Sequence, residues 1–274
     1  AGPARRSAHG TVELFAFGCG NSAACPRYLD VMRLEVSTLA GRPDLADESV
    51  SSDLPAFMGA DPSLWDLVSV RHCYPALQLV GRIAEQTVAT AQAAPIAWTG
   101  VPADLPPQGW DEVVGAAVRA ACGGQQASAV SALIITVDKE HRGLGLSSLM
   151  LSAMKDAVRD AGFRDLVAPV RPTLKHFEPH TPMREYAARQ RDDGLPWDPW
   201  LRTHVRAGGV ITGICPASMT IGGSLAQWRA WTGLEFSTDG AVEVPGGLVP
   251  VHTSVPHDHA VYVEPNVWVH HRLS

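Results

Sequence analysis

Apolar and polar positions alternate in two rhythms along this chain, and the change of rhythm marks its elements. Thr11–Phe17 (TVELFAF) is rich in β-formers and reads as a strand. Pro26–Leu39 places Leu29, Met32, Leu34, Val36 and Leu39 roughly on one face, with Pro26 suited to a first turn and Gly41 to a stop, which predicts a helix. Residues 42–65 are punctuated by Pro43, Pro55, Gly59 and Pro62 and read as loop with short helical pieces. Leu77–Ile83 and Thr87–Ala94 predict two strands around a turn at Ala84–Gln86, after which Pro95 breaks the pattern. Trp110–Ala121 predicts a helix with Asp111 and Glu112 at its positive end and Gly123 beyond its stop. Ala129–Val137 (AVSALIITV) is almost wholly apolar or small, as in a strand buried on both faces.

A glycine-bearing loop then leads into Ser147–Ala161, where Leu149, Met150, Ala153, Met154, Ala157 and Val158 make an apolar stripe at helical spacing. Gly162 ends this helix, and Leu166–Val170 (LVAPV) is the next strand, giving a strand–loop–helix–strand crossover. Beyond it come the proline-broken run RPTLKHFEPHTPM, a helix at Met183–Arg191, another at about Pro199–Ala207, a strand after two glycines and a short helix at Ser224–Trp231. Strands separated by turns close the chain. There is no internal repeat.

Composition narrows the class. With 46% hydrophobic and 18% charged residues, the chain can bury a sizeable core. A net charge of −6 argues against a general nucleic-acid or membrane-surface binder, which needs a basic face. No stretch reaches the roughly 18–20 apolar residues of a membrane span. The five cysteines (Cys19, Cys25, Cys73, Cys122 and Cys215) include no CxxC pair and read as reduced thiols, so the expected compartment is the cytoplasm. Residues 1–10 lack the apolar core of a signal peptide and are expected to be a disordered end or an expression remnant.

The loop VDKEHRGLGLSSLML carries the clearest chemistry. A loop between a buried strand and a helix aims several backbone N–H groups one way, and the helix end adds partial positive charge. Gly143 and Gly145 let main chain approach a bulky anion, Arg142 adds a cation, and Ser147 and Ser148 add hydroxyls. These are the parts of a pyrophosphate cradle. A Walker A loop would end in Gly-Lys-Ser/Thr, which is absent. A Rossmann fingerprint would have a third glycine where Ser148 stands and an acid after LVAPV, where Arg171 stands.

The stretch instead resembles the acetyl-CoA loop of the GNAT acyltransferase superfamily. That pattern is Arg or Gln, two residues, Gly, one residue, then Gly or Ala. It falls here on Arg142, Gly143-Leu144, Gly145, Leu146 and Ser147, the serine departing from the last position. A weaker likeness runs from His204 to Gly208, with His204 where the family places a general-acid tyrosine. The resemblance implies an α+β fold whose mixed, mostly antiparallel central sheet is flanked by helices and splayed at the acyl-CoA site. It implies one domain over 11–274, with inserts at about 95–125 and 171–250 that build a substrate pocket. Backbone at Ile135 and Val137 would pair with the pantetheine arm of acetyl-CoA or another acyl-CoA. Arg142 to Ser148 would hold the pyrophosphate, and no metal is needed.

The implied activity is direct transfer of an acyl group, first of all acetyl, to an amine of a small molecule. Three side chains are candidates for acid–base work: His204, Glu264 on a strand interrupted by Pro265, and Tyr186. Tyr262 is a further candidate acid. Arg171, Lys175 and Arg202 are candidates to hold a substrate carboxylate, and Asn266 to orient the substrate. His257, His259, His270 and His271 read as solvated rather than metal-binding. Other readings stay open at this point: a non-catalytic acyl-CoA sensor, an acyl-tRNA or carrier-protein donor, or a protein lysine as acceptor. The oligomeric state, monomer or homodimer, is equally open.

Overall fold

The computed structural model describes residues 9–13 as main chain, and residues 33–51, 53–123 and 126–274. Ten strands among the described residues form one sheet in the order β1-β2-β3-β4-β5-β6-β10-β9-β8, with β7 paired to β10. The strands are β1 (His9–Glu13), β2 (Arg33–Thr38), β3 (Gln78–Ile83), β4 (Gln86–Ile96), β5 (Ala129–Val137), β6 (Asp165–Val170), β7 (Val210–Gly223), β8 (Gly240–Val242), β9 (Val251–Ser254) and β10 (His259–Arg272). Every pairing is antiparallel except that of β5 with β6. The helices are α1 (Ser63–Cys73), α2 (Gly109–Ala121), α3 (Leu146–Asp160), α4 (Met183–Ala187), α5 (Pro199–Arg206) and α6 (Leu225–Thr232).

Most elements stand where the periodicity places them. The helix expected over Pro26–Leu39 does not: its described part is strand β2, and residues 26–32 lie outside the described residues. Arg33 and Glu35 face out while Leu34 and Val36 are buried, so the period is two rather than 3.6. Helix α1 falls where no helix was expected because its sequence shows no stripe. Only Val70 is buried, and Trp65 and Val68 are exposed. The helix expected over Met183–Arg191 stops at Ala187, because the chain turns so that Gln190 bridges Pro196. Strand β4 runs on through Pro95, since beyond Gln92 only β5 pairs with it and one side of the strand needs no donor. Strand β1 begins at His9, while the rest of the expected strand, beyond Glu13, lies outside the described residues, as do Cys19 and Cys25.

The core lies on both faces of the sheet. On one, Met150, Leu151, Met154 and Val158 of α3 pack on Leu79, Val88 and Val130. On the other, Trp110 and Val114 of α2 and Trp228 of α6 pack with Met219, Ile221 and Tyr262. Each such apolar side chain contributes about 1.5–3 kcal/mol of burial. Between these two layers the sheet opens at one place. Strands β5 and β6 pair only at Val130↔Leu166 and Ser131↔Val167, although β5 continues to Val137 and β6 to Val170. Beyond Ser131 they diverge.

Candidate active site

The glycine loop sits where the divergence opens. Asp138 ends β5 and caps a single turn by accepting from the Glu140 amide at 2.9 Å. Its carboxyl is held below the usual range by the His141 side chain and by that amide. Gly143 and Gly145 then take φ of 78° and 77°, a region that residues with a Cβ rarely adopt. A Cβ at either would meet nothing within 4 Å, so the glycines are demanded by backbone torsion and not by crowding within the protein. Gly145 caps α3, whose buried Leu146 anchors the loop to the core. Among the described residues, no acceptor takes the amides of Gly143 to Ser147. These converge with the positive end of α3, which suits a phosphate.

A cleft of about 950 Å³ runs from this loop between the splayed strands. Ile135 and Val137 of β5 line one side, and Ala168 and Val170 of β6 the other. At the loop end Arg142, Gly143, Gly145, Leu146 and Ser147 line it, whereas Leu144 and Ser148 do not. Arg142 forms an ion pair with Asp53, which no motif in the chain marks as part of this site.

The far end is built around Glu264, fully buried on β10. Its Oε1 accepts from Arg171 Nε and from Asn266 Nδ2, both at 3.1 Å. Its Oε2 accepts from Arg171 Nε at 3.1 Å and from the Tyr262 hydroxyl at 2.6 Å. Arg171 Nη2 also donates to the Gly246 carbonyl at 2.6 Å, which fixes the guanidinium in place. Tyr262 accepts from the Leu248 amide at 2.8 Å. Burial, and then the Glu264 charge, push its phenol well above the ordinary value, so it is held as a hydrogen-bond donor and not as an acid. Arg171, Glu264 and Asn266 line the cleft, as do Thr173, His176 and Gly246.

Three expected site residues stand elsewhere. Tyr186 is 1% exposed and does not line the cleft; its hydroxyl donates to Asp198 at 2.9 Å, and burial beside that carboxylate raises its pKa. Lys175 is fully buried, with Nζ donating to the carbonyls of Glu178 (2.6 Å), Leu248 (2.7 Å) and Pro179 (3.4 Å), so it ties loops together and cannot meet a substrate carboxylate. Arg202 is turned to the carbonyls of Pro196 and Trp197. His204, on α5, does line the cleft, but its Nδ1 lies 3.0 Å from Nε2 of buried His271. Burial and then His271 push its pKa down to about 3, so the ring is neutral near pH 7 and carries no imidazolium proton to give. Gly209 makes room for this pair, since a Cβ there would come within 2.7 Å of the His271 ring.

Asp61 and Asp111 lie together as a pair of carboxyls outside the cleft lining. Asp61 accepts from the Ser63 amide at the start of α1, and Asp111, in the first turn of α2, accepts from the Thr220 amide of β7. Asp61 Oδ2 and Asp111 Oδ1 have no separate partner, and one proton shared between the two side chains satisfies both. Burial, and then the Asp61 charge, raise Asp111 to about 7, and burial raises Asp61. The folded chain therefore holds a proton that the unfolded chain releases above about pH 4, so stability falls as pH rises from about 4 to 7 and then levels off. Asp111→Asn is expected to remove that slope and to stabilise the protein at pH 8 by about 1–2 kcal/mol, solvent screening keeping the effect modest. Urea unfolding at pH 5 and pH 8 measures both; equal slopes in variant and parent would contradict the shared proton.

Among the described residues, no group of three or more His, Cys, Asp or Glu side chains is placed to hold a metal ion, and no helix is long and apolar enough to cross a membrane. No family model matches the sequence. An arginine N-acetyltransferase of Aspergillus versicolor is 32% identical over 273 residues, covering 87% of this chain and 93% of that protein. Two solved structures share the fold. The loading GNATL domain of CurA from Lyngbya majuscula has a TM-score of 0.53 at 16% identity, over 87% of this chain and 96% of its own. The GphF GNAT-like decarboxylase, solved in complex with isobutyryl-CoA, has a TM-score of 0.50 at 20% identity, over 87% of this chain and 99% of its own. With a third of its residues shared across most of both sequences, on a mostly antiparallel sheet opened beside a glycine loop, this chain belongs to the GNAT superfamily and is an acyltransferase.

Proposed function

We propose that the chain transfers an acyl group, acetyl in the first instance, from acyl-CoA to the amine of a small molecule that also bears a carboxylate, with a free amino acid such as arginine as the leading acceptor. The observation that carries this reading is the two-rung pairing of β5 with β6, opening onto a loop whose amides are unspent. The pyrophosphate rests on the amides of Gly143 to Ser147, with Arg142 beside them. The pantetheine arm lies along Ile135 and Val137, taking up β5 groups that β6 leaves unpaired. The thioester then reaches the middle of the cleft, where an amine attacks it directly. The acceptor head is supported by Arg171, whose position is fixed by Glu264 and Gly246 while Nη1 has no partner among the described residues. A fixed guanidinium edge is suited to a carboxylate. The related arginine N-acetyltransferase points to the same class of acceptor. The segments 95–125 and 171–250 act as inserts that close this end, contributing Trp110, Arg171, Thr173, His176 and Gly246 to the cleft.

Calorimetry with acetyl-CoA and CoA, followed by thiol release against amino acids and the same amines without the carboxylate, tests the proposal. Arg171→Lys is expected to raise KM at least tenfold for arginine and to leave the decarboxylated amine within twofold. No binding at millimolar acyl-CoA rejects the donor. Binding without thiol release leaves a sensor, and turnover confined to a protein lysine or a carrier-protein thioester moves the reading to those partners.

A further inference from the structure

Acyl transfer to an ammonium group must dispose of two protons, and the cleft walls hold few groups able to take the first. Among the described residues that line it, the proton acceptors are Asp53, His141, His176, His204 and Glu264. Asp53 is paired with Arg142 at the nucleotide end. His141 stands beside the same loop, its Nδ1 3.1 Å from the Asp138 carboxylate. His204 is buried against His271, and both oxygens of Glu264 already accept two hydrogen bonds each.

His176 differs from all of these. Its Nδ1 lies 3.0 Å from the Thr173 carbonyl oxygen. A carbonyl can only accept, so Nδ1 carries the hydrogen and Nε2 is left with a lone pair. The turn that bears it, Lys175–Phe177, is pinned from both sides. Lys175 is buried against three carbonyls, one of them Leu248 of a distant loop, and the Leu174 amide donates to Asp198 at 2.9 Å. The Phe177 ring lies against the imidazole, with centroids 4.0 Å apart. The lysine that fails as a substrate ligand thus explains why the next residue is well placed. The charged groups that share this end of the cleft are Arg171 and Glu264, already paired with each other. On the turn itself, Lys175 is spent on carbonyls and Glu178 is bound by Arg189 at 2.6 Å.

We propose that His176 is the general base of this acyltransferase, taking the proton of the acceptor amine on Nε2. The proposal rests on the acyl-transfer reading above. His176 takes one proton from the ammonium and passes it to solvent. The freed nitrogen pair forms the C–N bond as the carbonyl π pair moves to oxygen. Collapse of the tetrahedral adduct breaks the C–S bond with its electron pair on sulfur, and the second amine proton goes to the thiolate. The products are the amide, the free thiol and one released proton.

The test is the pH profile of kcat/KM with arginine as acceptor, for the parent, His176→Ala and His176→Asn. Asparagine can still donate to the Thr173 carbonyl from its amide, so it keeps the turn but offers no basic nitrogen. Both variants are expected to lose about 10²- to 10³-fold in kcat. KM for acetyl-CoA should stay within twofold, and the acid limb of the parent profile should disappear. Added imidazole should restore part of the rate of His176→Ala. A His176→Asn variant with the parent's melting temperature and a kcat within threefold of it would overturn the proposal alone. A parent that binds acetyl-CoA but acylates no amine would overturn the acyl-transfer reading and this proposal with it.

Discussion

Gly145→Val is expected to raise the dissociation constant for acetyl-CoA at least 100-fold. Two effects add. A β-branched residue held at φ near 77° costs on the order of 1–3 kcal/mol of backbone strain, which the free protein relieves by reshaping the loop. Relief turns the amides of Gly143 to Ser147 away from a common focus, and the side chain that results occupies the approach to them. Because a Cβ there meets no protein atom, the fold itself should tolerate the change, with a melting temperature within a few degrees of the parent. Calorimetry with acetyl-CoA and a thermal scan separate the two outcomes: unchanged affinity would mean that the loop is not the pyrophosphate site. Gly145→Ala should show the same direction with a smaller effect, since it carries the strain but little of the obstruction.

Glu264→Ala is expected to destabilise the protein by about 3–5 kcal/mol, the usual cost of removing one partner of a buried ion pair. The carboxylate is fully buried, and three side chains donate to it. Its loss leaves the Arg171 guanidinium with only the Gly246 carbonyl, and the buried Tyr262 hydroxyl with no acceptor. Tyr262 and Arg171 between them also hold residues 246 and 248, so the wall of the acceptor end should loosen together with the core. Chemical denaturation gives the size. Arg171→Met in the same chain should recover part of the loss by removing the stranded charge, whereas a strictly additive double variant would show that the two residues do not act as a pair.

Local and distant construction account for what could be read in advance. Strand β5, the glycine loop, α3 and β6 are contiguous, and each is specified by nearby residues: an apolar run, two left-handed glycines, a stripe at helical spacing. That half of the cleft was legible residue by residue, apart from Leu144 and Ser148, which do not line it. The acceptor half was not. Arg171 and Glu264 meet across 93 positions, and Lys175 reaches Leu248 across 73. Charge alone marks Lys175 and Arg202 as candidate substrate ligands, because nothing local shows that backbone carbonyls surround them. His176 was one basic residue among several in RPTLKHF until its Nδ1 contact with Thr173 set it apart. At β2 the apolar positions upstream, Leu29 and Met32, extend a helical spacing that the strand's own alternation of buried and exposed residues contradicts.

Two rungs of ladder join the five strands on one side of the sheet to the five on the other. In the proposed binding mode a thioester along β5 would supply rungs that the polypeptide omits, making the donor a removable structural member as well as a reactant. A ligand held only by the folded chain adds about 2.7 kcal/mol to stability at a hundredfold excess over its Kd. If the donor binds in the proposed way, the durability of this enzyme follows thioester supply, and limited proteolysis is expected to slow when acetyl-CoA is added.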